Sequence, residues 1–83
     1  FDDSNIEVFS KIGDAKLQQK QYNEAIKEYT KVISKNPNHA LSYSNRGLCY
    51  FNLKLMGDAC VDFRAAESLG YDQSYQLLKK NCK

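Results

Sequence analysis

Residues 9–37 read FSKIGDAKLQQKQYNEAIKEYTKVISKNP, and residues 43–71 read YSNRGLCYFNLKLMGDACVDFRAAESLGY. Overlaid at an offset of 34 residues, they set Phe9 on Tyr43, Gly13 on Gly47, Ala25 on Ala59 and Tyr29 on Phe63. Just outside the two stretches, Asn38 falls on Asp72 at the same offset. Self-similarity at this period is the signature of a helix–turn–helix array and outranks any local signal. Such an array seldom performs chemistry, because its usual product is an extended concave surface that holds another polypeptide.

The local patterns agree with that reading. Ile6, Phe9, Ile12 and Leu17 recur at helical spacing and predict a first helix over about residues 5–19. Asn23 reads as the N-cap of a second helix with Glu24 in its first turn. Ala25, Ile26, Tyr29, Val32 and Ile33 form its apolar stripe, and Pro37 requires it to stop before that point. Asn38 reads as the cap of a third helix carrying Leu41, Tyr43, Leu48, Tyr50 and Phe51. A fourth helix begins near Gly57 and Asp58 and ends at Gly70, a residue suited to a left-handed C-terminal position. Asp72 then caps a shorter fifth helix from Gln73 to about Asn81. The fold class is all-α: five helices, joined by short loops.

The recurring residues are an aromatic, then a long or apolar side chain, Gly, a further ring, and after a turn Ala, an aromatic, a small residue and Pro. The first copy supplies Phe9, Ile12, Gly13, Lys16, Ala25, Tyr29, Val32 and Pro37. The second supplies Tyr43, Arg46, Gly47, Tyr50, Ala59, Phe63, Ala66 and Tyr71. The chain thus resembles the tetratricopeptide repeat. It departs from the pattern with Lys16 in place of Tyr, Arg46 in place of an apolar residue and Tyr71 in place of Pro. The resemblance implies a helical solenoid in one domain: repeat one over about 6–39, repeat two over about 40–71, and a capping helix over about 72–82. Tyr75, Leu77 and Leu78 of the cap would cover the fourth helix, leaving Gln73, Gln76, Lys79 and Lys80 to water.

Mid-helix Gly costs about 1 kcal/mol against Ala, so Gly13 and Gly47 need a packing reason. The missing side chain lets a partner helix approach, with Ala25 and Ala59 as the matching small residues and the aromatics filling the space between helices.

With 83 residues, this is a single small domain, and 42% apolar with 27% charged residues argues against disorder. No apolar run is long enough to cross a bilayer. With no initiator Met and no secretory segment at Phe1 we expect a fragment whose upstream targeting signal, if any, is not visible. Two repeats plus a cap are at the lower size limit of such an array, so further repeats are expected before Phe1. Net charge is +2, but removing Lys79, Lys80 and Lys83 leaves the body at −1, which is not the profile of a nucleic-acid binder. The terminal lysines instead suit a helix C-terminus.

Catalytic and metal-binding constellations are missing from the sequence. His39 is the single histidine and has no nucleophile or carboxylate at a recognisable spacing, so it reads as a surface residue and the chain as a non-enzyme. No phosphate loop or metal-ligand spacing occurs, so neither cofactor nor metal is expected. Cys49 reads as a small buried hydrophobe. Residues 60–70 and 77–83 resemble the closing segment of short bacterial tetratricopeptide proteins of the Bacteroidetes group, which would make Lys83 the natural C-terminus. If the cap folds back on the fourth helix, Cys60 and Cys82 come within bonding range, and the bridge would contribute about 3 kcal/mol. Oxidised, the pair would point to the cell envelope or periplasm; as free thiols, to the cytoplasm.

In this family the first helix of each repeat lines the concave face. The resemblance therefore implies a partner-binding groove of Ser10, Asp14, Leu17 and Gln18 from the first helix and Leu41, Asn45, Leu48, Phe51 and Asn52 from the third, with Tyr75 and Lys79 at one rim. The asparagines would serve a peptide backbone, since amides both donate and accept. One subgroup binds the acidic C-terminus of chaperones through a clamp of lysines, asparagines and an arginine. Here Asn45 matches one clamp asparagine and Lys79 the arginine position, but Ser10, Asp14 and Tyr75 replace the first lysine, the first asparagine and the second lysine. A carboxylate at Asp14 repels a peptide carboxylate, which argues against a chaperone C-terminal peptide. The expected function is a protein–protein interaction module. The alternatives are an assembly element packed against other repeats of a larger chain, or a regulatory domain attached to an enzyme.

Overall fold

The computed structural model describes residues 4–71 together with Lys80 and Cys82. Within them lie four α-helices and no strand: α1 (Ser4–Gln18), α2 (Tyr22–Lys35), α3 (Ala40–Asn52) and α4 (Met56–Ser68). Residues 19–21, 36–39 and 53–55 link them, short enough to make each helix the neighbour of the next. Helix α2 packs on both α1 and α3, and α3 packs on α4 as well. The expected capping helix falls outside the described residues apart from Lys80 and Cys82, and so do Tyr75 and Lys79 of the groove rim.

The helix ends show where sequence patterns misled. α2 starts one residue before Asn23, with Gln21 at the N-cap and no side-chain capping bond. α3 is capped by His39, not Asn38: the His39 Nδ1 accepts from the Ser42 amide at 3.3 Å. The nearby asparagine that organises the loop is Asn36, whose Oδ1 accepts the Asn38 amide at 3.2 Å. With that bond formed, the chain turns through Pro37 and delivers His39 to the helix mouth, so the histidine is a half-buried cap and not a surface residue.

Three helices finish with the same double bond pattern. At α4 the Tyr71 amide reaches back to Ala66 O and the Gly70 amide to Glu67 O, with Gly70 at φ +96°. At α1 the Gln21 and Lys20 amides bond Lys16 O and Leu17 O, and at α3 the Leu55 and Lys54 amides bond Tyr50 O and Phe51 O. This is the Schellman closure, which needs a left-handed residue. At α1 and α3 that residue is a lysine, Lys20 at φ +63° and Lys54 at φ +65°.

The core follows from three residues per outer helix. Ala25, Tyr29 and Val32 of α2 and Ala59, Phe63 and Ala66 of α4 are all fully buried, each set at i, i+4, i+7. α3, squeezed between α2 and α4, answers with small residues, burying Ser42, Ser44, Gly47 and Cys49. Burial pushes the Cys49 thiol up to about 11, with Asp62 adding to the effect, so it stays protonated.

The glycines carry the close approach. A Cβ on Gly47 would stand 2.6 Å from Phe63 Cε1 and 3.3 Å from Ala59 O. One on Gly13 would stand 2.9 Å from Tyr29 Cε1. Each ring therefore fills a notch that exists only because the side chain opposite is missing. Gly57, by contrast, has nothing within 4 Å of the same position.

Arg46 explains its own departure from the repeat pattern. Its Nε and Nη2 bond Asp62 Oδ2 and Oδ1 at 2.8 and 2.9 Å, and its Nη1 reaches Thr30 Oγ1 at 3.1 Å. Asp62 is 2% exposed, and the Tyr43 and Tyr50 rings lie 5.8 and 6.0 Å from the guanidinium carbon. Where an apolar residue would only fill space, this one ties α2, α3 and α4 together. Losing either charge of such a pair leaves the other buried alone, at a cost of about 3–5 kcal/mol. Cys60 on α4 is disulfide-bonded to Cys82, with Cα atoms 5.8 Å apart.

With a notch at Gly47 and open space at Gly57, one substitution should have opposite signs at the two sites. Gly47→Ala should lose about 1–2 kcal/mol, because overpacking against Phe63 outweighs the gain in helix propensity. Gly57→Ala should gain up to about 0.5 kcal/mol. Thermal melts decide it, since about 1 kcal/mol moves the midpoint of a domain this size by 4–8 °C.

Candidate functional site

α1 and α3 meet along one face of the molecule, where Asn45 Nδ2 donates to Asp14 Oδ1 at 3.3 Å. Helical spacing sets Ser10, Asp14 and Leu17 in one stripe on α1, and Leu41, Asn45, Leu48 and Asn52 in a matching stripe on α3. These are the positions expected to form the groove.

The centre of this face is a three-residue network. Tyr29 comes through from α2, fully buried, and its hydroxyl donates to Asp14 Oδ1 at 2.5 Å. Burial, and after it the Asp14 carboxylate, push the Tyr29 hydroxyl far above its ordinary range. It therefore stays a donor. Asp14 is fixed by Tyr29 from below and by Asn45 from the side, both on the same oxygen, which leaves Oδ2 without a partner among the described residues.

At one end the face opens into a cleft of about 380 Å³ lined by Ile6, Glu7 and Ser10 of α1 and Asn36, His39 and Leu41. Leu41 is 42% exposed at its edge. Ile6 and Leu41 give the cleft apolar walls, and Glu7 gives it a carboxylate.

The remaining expected residues divide. Leu17 packs against the Ala25–Tyr29–Cys49 cluster, so it belongs more to the core than to a binding surface. Gln18 and Asn52 are exposed, while Leu48 and Phe51 are half-buried. Asn52 donates to Leu48 O at 2.7 Å, so its amide is partly satisfied by its own helix. Sequence reasoning passed over Ile6, Glu7, Asn36 and His39. Glu7 was recoverable: it precedes Ser10 by three residues and Asp14 by seven, on the same helical stripe. Asn36 and His39 were not, since only the turn through Pro37 brings them to the cleft. Among the described residues no group of His, Cys, Asp and Glu side chains could hold a metal ion, and no helix is long and apolar enough to cross a membrane.

The repeat signature, the paired helices and the glycine notches coincide with a family match. The TPR-repeat family model matches residues 13–54, half of the chain, and the chain belongs to the tetratricopeptide-repeat family. It is 42% identical over 69 residues to heat shock protein STI1 of Saccharomyces cerevisiae, covering 74% of this chain and 12% of that protein. It is 29% identical over 79 residues to Hsp70-Hsp90 organizing protein 3 of Arabidopsis thaliana, covering 88% of this chain and 14% of the relative. It is 38% identical over 59 residues to human serine/threonine-protein phosphatase 5, covering 71% and 11%. The chain thus spans only a small part of each relative's length. No solved structure matches it at a significant level. These relatives are eukaryotic and lend no support to the bacterial resemblance of the closing segment.

Removing the Tyr29 hydroxyl isolates the central network. Tyr29→Phe should cost about 1.5–3 kcal/mol, the usual worth of a hydrogen bond to a charged group. It keeps the ring in the Gly13 notch, so denaturant melts should show a lower midpoint with an unchanged slope.

Proposed function

We propose that this chain is a protein–protein interaction module whose α1–α3 face holds a segment of a partner polypeptide, with 6–39 and 40–71 as its two repeat units. The observation that carries this reading is the Asp14–Asn45 contact beside the open cleft. It fixes two helices of different hairpins edge to edge, with polar and apolar side chains left facing outward. A surface that is rigid underneath and unsatisfied on top suits a peptide better than a reaction. Family membership supports the same conclusion, since helical arrays of this kind present concave binding surfaces.

The names of the relatives speak of organizing Hsp70 and Hsp90, and this weighs in favour of a chaperone as partner. The groove itself weighs against one mode of chaperone binding. Asp14 sits next to Asn45, where an acidic C-terminus would otherwise be received. A chaperone that binds here would dock through a segment other than its terminal carboxylate.

The site is tested by comparing partners captured by the immobilised wild-type domain with those captured by Leu48→Ala and Asn45→Ala variants. Both variants should lose most of the captured protein, and a single bound peptide should dissociate at on the order of micromolar concentration. A Val61→Ser control, on an exposed α4 position, should bind as the wild type does. Loss on the control alone would move the site to α4.

A further inference from the structure

We infer that the groove selects a segment with two cationic side chains three residues apart, set among apolar ones; this rests on the groove being the partner site. Asp14 uses Oδ1 for both Tyr29 and Asn45, and its Oδ2 has no partner among the described residues. Asn45 donates through Nδ2 to a carboxylate and Asn52 through Nδ2 to a carbonyl, so neither amide can be turned round, and neither Oδ1 has a partner among the described residues. Glu7 adds a carboxylate in the cleft. The face is therefore biased toward acceptors, with two carboxylates and two amide oxygens against the one N–H that each amide keeps.

Its charge points the same way. Glu7 and Asp14 lie on one stripe, and neither the α1 nor the α3 stripe contains a Lys or Arg. The nearby cations are engaged elsewhere. Lys16 pairs with Glu24 at 3.1 Å, Lys31 with Glu28 at 3.3 Å, and Arg46 with Asp62. Lys11 holds on α1 the repeat position that Asn45 holds on α3. Asn45 faces back toward the preceding repeat. Lys11 lies one turn from both Glu7 and Asp14 but is exposed and forms an ion pair with neither among the described residues. Asp14 and Glu7 are left with no internal counter-ion among the described residues.

The shape then sets the spacing. A lysine or arginine in the cleft lays its aliphatic stem along Ile6 and Leu41 and brings its charged head to Glu7. Seven residues along α1 separate Glu7 from Asp14, a rise of about 10 Å. A peptide in polyproline II form rises about 9 Å in three residues and presents every third side chain on the same side, so its next cation falls near Asp14. An acidic peptide meets repulsion at both points.

The test is a titration of the isotope-labelled domain, followed by amide NMR shifts, with three capped heptapeptides. They are Ala-Lys-Leu-Ser-Lys-Leu-Ala and its versions with both lysines replaced by Gln or by Glu. The lysine peptide should shift the amides of Ser10, Asp14, Asn45 and Leu48 and bind more tightly than the glutamine peptide by about fivefold per charge contact. The glutamate peptide should bind more weakly than either. Glu7→Gln, an exposed residue outside the core, should reduce the lysine-over-glutamine preference about fivefold, and Asp14→Asn should do the same where it folds. Equal binding of all three peptides at these amides would overturn the cation selectivity while leaving the groove as the site. Shifts confined to α4, or no shift with any peptide, would overturn the selectivity and the groove reading together.

Discussion

The structure depends on two aromatic rings lying in two notches. Tyr29 faces Gly13 and Phe63 faces Gly47 at distances that leave no room for even a methyl group. This contact sets how near the two helices of each hairpin come. It also decides what else can reach across. Only at this separation does the Tyr29 hydroxyl arrive at Asp14, and only then is the carboxylate at the centre of the α1–α3 face pinned in place. The core and the proposed site are joined through a single side chain, whose ring packs inside and whose oxygen bonds Asp14.

The repeat made most of this legible. Helix bodies followed from apolar spacing, and the buried sets on α2 and α4 are the residues that the 34-residue offset aligns. A second offset went unread. Gly13 with Tyr29, Gly47 with Phe63 and Arg46 with Asp62 are each separated by 16 residues, the register of one hairpin helix against the next. A charged residue at a position where the family prefers an apolar one, with an acid 16 residues on, was the available sign of the buried ion pair. The helix ends were less readable. Several residues near Pro37 are capable caps, and only the bond taken by Asn36 decides that His39 takes the role. Lys20 and Lys54 stand where glycine would signal a left-handed turn, so residue type hid a conformation that the repeat offset links.

The candidate site was legible in position and not in chemistry. The stripes on α1 and α3 lie where family geometry implies, but single residues had been credited with roles that their neighbours alter. Leu17 is drawn into the core by the Tyr29 cluster. Asn45 and Asn52 spend an N–H within the protein, and this tips the surface from donor-rich to acceptor-rich. At Leu17 and Asn45 these effects come from contacts between helices, which have no trace in the spacing along either one, and at Asn52 from a bond back to its own helix. They also separate this groove from the carboxylate-binding one that Asn45 alone would suggest.

The most direct test of the central claim is a double-mutant cycle between Gly47→Ala and Phe63→Leu, read by chemical denaturation. If the notch exists to hold the ring, the added methyl should cost much less once the ring is gone, and the two effects should be coupled by about 1 kcal/mol or more, within the range for residues in contact. Strictly additive effects would show that Gly47 and Phe63 act independently, and that the spacing of the hairpin is set by something other than the ring in its notch.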